Sequence, residues 1–97
     1  MKIPSKIKIG GIIYKVNIIN PTEPPLNKNH ADGQLNFATC EIFLDKKLDN
    51  QMMTQVFLHE ILHGIEYNND MSSSETYIQT MASGLFQVMR DNKLLRE

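Results

Sequence analysis

His59-Glu60-Ile61-Leu62-His63 sets two imidazoles four residues apart, with a carboxylate directly beside the first. Four residues advance a helix by a little over one turn, so on a helix both rings leave the same face and can grip one ion. Neutral imidazole nitrogen suits zinc, and Glu60 is placed to take a proton from a water held on that ion. The chain has three histidines, and two of them fall in this motif. The expected chemistry is hydrolysis by metal-activated water, with one Zn2+ per chain, His59 and His63 as ligands and Glu60 as general base.

A hydrolytic zinc takes three protein ligands and keeps a fourth position for water. Glu66 lies seven residues from His59, about 10 Å along a helix axis at ~1.5 Å per residue. It is therefore expected either to support the site from outside the ligand set or to be a buried partner of another group. His30 falls in a loop that nothing in the sequence fixes over the motif. Glu75 is the only acid between Met71 and Arg90, and it heads the stripe that should face the motif helix, so it is the favoured third ligand. Ser72-x-x-Glu75 also reads as a capping box, in which Glu75 folds back onto the Ser72 amide, and both roles stay open here. Gln79, one turn on, is expected either to hold Glu75 or a ligand histidine by a hydrogen bond, or to sit at the core edge.

These groups need a scaffold. Residues Lys6 to Ile19 alternate apolar and polar around Gly10-Gly11, which predicts a tight hairpin. Asn20 to Asn29, rich in proline and asparagine, predicts a loop, and Asp32-Gly33 a turn. Leu35 and Phe37 share one phase, and Cys40, Ile42 and Leu44 the other, so a bulge or turn is expected near Ala38-Thr39. The fold class is then α+β: an antiparallel sheet of three to four short strands, followed by two packed helices over about 50–67 and 73–92. Phe57, Leu58, Ile61 and Ile65 form a broad apolar arc on the first helix. Two His and two Glu on so apolar a helix cost several kcal/mol unless paired or liganded, a separate reason to expect a metal. On the second helix Glu75, Ile78, Gln79, Ala82, Leu85, Phe86 and Met89 fall on one stripe.

Ninety-seven residues are expected to form a single domain, 1–97. A net charge of −1 gives no electrostatic footprint for nucleic acid, and no apolar run suits a bilayer. The segment Met1–Lys6 lacks the apolar core of a signal peptide, and the one cysteine, Cys40, cannot form an internal disulfide. A cytoplasmic location and a protein or peptide substrate are the expectations. Two rival classes remain: a metal-stabilised protein that captures a partner without cutting it, and a metal-free structural module.

The run Val56-Phe57-Leu58-His59-Glu60-Ile61-Leu62-His63-Gly64-Ile65-Glu66 resembles the active-site helix of zincin metallopeptidases of the gluzincin type. With the Lys-Ile-Lys-Ile-Gly-Gly start, the strand Glu41–Asp45 and the Glu75 helix, the chain is similar to small phage and prophage proteins near the ImmA/IrrE and SprT-like metallopeptidases. The resemblance implies a minimal zincin-like domain in the host cytoplasm. It also implies His59, His63 and Glu75 as zinc ligands and Glu60 as base. The Glu-Ala-Asn signature of ImmA/IrrE proteins is absent. The strand Glu41–Asp45 is expected to be an edge that pairs with an extended substrate.

Overall fold

The computed structural model describes residues 1–95. Strands β1 (Lys6–Ile9) and β2 (Ile12–Ile19) form the expected hairpin, with Lys6 opposite Lys15 and Ile9 opposite Ile12. Gly10 and Gly11 turn it with φ of 58° and 86°, the left-handed pair that a two-residue turn between right-twisted strands requires. The expected loop contains one short helix, α1 (Leu26–Asn29), whose Leu26 is fully buried. Strand β3 (Gly33–Asn36) then pairs antiparallel with β4 (Glu41–Asp45). Gly33 begins that strand rather than making a turn. The slip near Ala38-Thr39 is a hairpin turn, held by Asn36 Oδ1, which accepts from the amides of Ala38 and Thr39 at 3.0 and 3.2 Å.

The sheet runs β1-β2-β4-β3, and β2 pairs with β4 in parallel, from Lys15 opposite Glu41 to Ile19 opposite Asp45. The expected all-antiparallel sheet is therefore a mixed one. Alternation with period two is the same in either direction, so the pattern reveals a strand but not its heading. Burial decides the order: Ile42 and Leu44 are fully buried, and a strand that apolar is most stable with a neighbour on each side. β4 is thus interior, and the expectation that it is an edge is corrected. The outer strands are β1 and β3.

Two helices follow, α2 (Asn50–Asn68) and α3 (Glu75–Asp91). Asp49 caps α2 by accepting from the Met52 amide at 2.8 Å. Phe57, fully buried, packs on the inner sheet face formed by Ile9, Tyr14, Val16, Ile42 and Leu44. The opposite flank of α2 meets α3 through Leu58, Ala82 and Phe86. α2 is therefore a middle layer, which explains its broad apolar arc. Gly64 permits close approach: a Cβ there would lie 3.0 Å from Ile9 Cδ1. Asn68 Nδ2 donates to the Ile9 carbonyl at 3.0 Å, tying the end of α2 to the hairpin. No helix among the described residues is long and apolar enough to cross a membrane.

Candidate metal centre

The start of α3 is set by Ser74, whose Oγ accepts from the Tyr77 amide at 3.1 Å. Ser73 is engaged elsewhere: its Oγ donates to Glu66 Oε2 at 2.5 Å and its amide to Glu66 Oε1 at 3.3 Å. Glu75 therefore follows the cap instead of closing a box with Ser72, and its carboxylate turns to the histidines. Glu75 Oε1 lies 2.7 Å from His63 Nε2, and Oε2 lies 3.1 Å from His59 Nε2. The two Nε2 atoms are 3.1 Å apart. Three side chains from two helices thus converge on one point.

The protonation of His59 follows from its other ring nitrogen. Ser83 Oγ accepts from Gln55 Nε2 at 2.7 Å and from Gln79 Nε2 at 3.3 Å, which turns the Gln79 amide so that Oε1 faces His59 Nδ1 at 2.9 Å. A carbonyl oxygen only accepts, so Nδ1 carries a proton, and Nε2 is the nitrogen turned towards Glu75 and His63. The group His59, His63 and Glu75, with ligand atoms all within 4.8 Å of one another, can hold a metal ion. The partner of Gln79 is a histidine, one of the two options the sequence left open.

Glu60 is the buried acid of the site, 7% exposed. Burial pushes its carboxyl up to about 7; the charge of His59 opposes the rise, Glu75 adds to it, and the Leu35 amide lowers it by a hydrogen bond. A carboxylate poised near neutrality is matched to taking and returning a proton. The motif faces a cavity of about 370 Å³ with Gly33, Gln34 and Leu35 of β3 on one wall and His59, Glu60, His63 and Glu75 on the other.

Other candidates lie apart from this cluster. Each Glu66 oxygen accepts one hydrogen bond from Ser73, which orders the turn between the helices, and Glu66 is not among the three converging groups. His30 is the exposed C-cap of α1, in the left-handed region at φ 49°. Tyr67 stacks on Phe37 with ring centroids 3.8 Å apart, and Tyr77 is exposed. Sequence reasoning missed the Leu35 amide, the Gln55–Ser83 support and the Phe37–Tyr67 stack. Each joins residues distant in sequence, and only the hydrogen-bonding capacity of Gln55 and Ser83 signalled any of it. No family model, curated protein or solved structure matches this chain.

Proposed function

We propose that the chain is a zinc-dependent peptidase. The observation that carries this reading is the Glu75 carboxylate, set across both Nε2 atoms at 2.7 and 3.1 Å with buried Glu60 beside them. Tetrahedral zinc with bonds of ~2.0–2.1 Å spaces neighbouring ligand atoms by roughly 3.3 Å, close to the spacing of these three groups. Zinc, once bound, would supply a Lewis acid that polarises a carbonyl and lowers the pKa of its water towards ~7. Glu60 accepts the water proton at its carboxylate and then delivers it to the departing amine. Gln79 holds the His59 ring in the tautomer that leaves Nε2 free, and the Leu35 amide fixes the Glu60 carboxylate. β3, an outer strand bordering the cavity, offers its edge to an extended peptide, the role expected of β4 before its interior place was known.

Zinc-loaded protein incubated with an unfolded protein such as casein, with products read by mass spectrometry, tests this. Cleavage is expected, and Glu60→Gln should keep its zinc while losing activity by about 10²–10⁴-fold. Equal cleavage by the variant, or none by the native protein, contradicts the reading. The openness of the site, with Glu75 74% exposed, favours as a second reading capture of a partner without cleavage. That reading predicts partner binding that survives Glu60→Gln.

A further inference from the structure

Next to His63 lies a second cavity of about 330 Å³, lined also by Phe37, Glu66, Tyr67, Met71, Ser72 and Ser73. We propose that it is a subsite for a basic side chain, arginine or lysine, of the peptide acted on at the metal centre. The Glu66 carboxylate is the partner of the cationic head, and the Phe37–Tyr67 stack is the wall along its stem. This rests on the peptidase reading for the word substrate, though not for the binding itself.

Position, charge and surface chemistry each support it. Glu66 and Tyr67 follow His63 by three and four residues, so they stand one helical turn, about 5.4 Å, beyond the metal ligand on the same face of α2. A residue next to the reacting bond in an extended chain, at ~3.3 Å per residue, places its side chain at that reach. The two Glu66 oxygens accept from Ser73, and a carboxylate offers about four lone-pair sites, so acceptor capacity remains. Among the described residues no lysine or arginine pairs with Glu66; the ion pairs are those of Glu75 with the two histidines and of Arg90 with Asp91. Glu66 is thus a carboxylate in this wall with no cationic side chain set against it among the described residues.

A leucine side chain seated here would strip water from that carboxylate without replacing it, and an acidic one would be repelled. A guanidinium or ammonium group satisfies it. Phe37 and Tyr67 keep 37% and 55% of their surface exposed, and Met71 keeps 62%, so apolar and π surface is free to take the methylene stem and the cation's face.

The test uses zinc-free protein, because none of these contacts needs the metal. N-acetyl-arginine methylamide and its lysine, leucine and glutamate counterparts are titrated in turn, and chemical shifts of Phe37, Tyr67 and Ser73 are followed by NMR. The arginine and lysine compounds should shift these residues and bind at least about tenfold more tightly than the leucine and glutamate compounds. Glu66→Gln, which keeps an oxygen for the Ser73 hydroxyl, should weaken arginine binding about fivefold or more, and Tyr67→Leu should weaken it too. The proposal is overturned if leucine binds as tightly as arginine, if both variants leave arginine binding unchanged, or if no compound shifts these residues. Failure of casein cleavage would leave the subsite standing, and a failed titration would leave the peptidase reading standing.

Discussion

Glu60→Gln should stabilise the metal-free protein at alkaline pH while removing the hydrolysis proposed for it. Glutamine has the same shape and keeps an oxygen to accept from the Leu35 amide, so the substitution removes little beyond a buried charge. Unfolded, Glu60 titrates at its ordinary 4.5; folded, it titrates at about 7. The folded state thus holds this proton to a higher pH than the unfolded state. The native stability is full below 4.5, declines as pH rises through the interval, and levels off above about 7. At about 1.36 kcal/mol per pH unit the loss is about 3 kcal/mol, which Gln does not suffer. In a domain of this size that is on the order of 10–20 °C in Tm. Circular-dichroism melts of both proteins in EDTA, from pH 4 to 8.5, read the difference directly. The curves should meet near pH 4.5 and diverge above it, with the variant higher. Added zinc should narrow the gap, since a nearby cation favours the ionised carboxylate. Parallel curves at every pH, or a less stable variant at pH 8, would refute the argument from burial.

Three further outcomes are expected. Gln79→Ala frees the His59 ring and should weaken zinc binding by about 10–100-fold with little change in fold, read by competition with a chelating dye. Phe57→Ala empties the contact between α2 and the sheet and should cost about 3–5 kcal/mol, read as a lower urea midpoint. Saturating native protein with zinc at about a thousand times its Kd should add about 4 kcal/mol of stability, so EDTA should lower the Tm of the zinc-loaded protein by on the order of 15–30 °C.

Local signals carried the sequence reading where chemistry is local. Gly10-Gly11 specifies a turn by its backbone freedom, and the four-residue spacing of His59 and His63 specifies a shared face on any helix. The direction of β4 was not legible, because alternation is blind to it and the connection through α1 and β3 sets the heading. Glu75 was ambiguous because three consecutive serines could each cap α3. The ambiguity resolved only when Glu66, on the other helix, engaged Ser73 and left Ser74 as the cap. The pKa of Glu60 depends on how deeply α2 lies between sheet and α3, a property of layers and not of the motif. The Phe37–Tyr67 stack joins a hairpin turn to the end of α2, and no periodicity links the two.

Calorimetric titration of zinc into native protein and into Glu75→Ala weighs the central claim most directly. The native protein should bind one zinc per chain, and the variant, left with two imidazoles, should bind at least about a hundredfold more weakly. Undiminished zinc affinity in Glu75→Ala, or no zinc binding by the native chain, would contradict it.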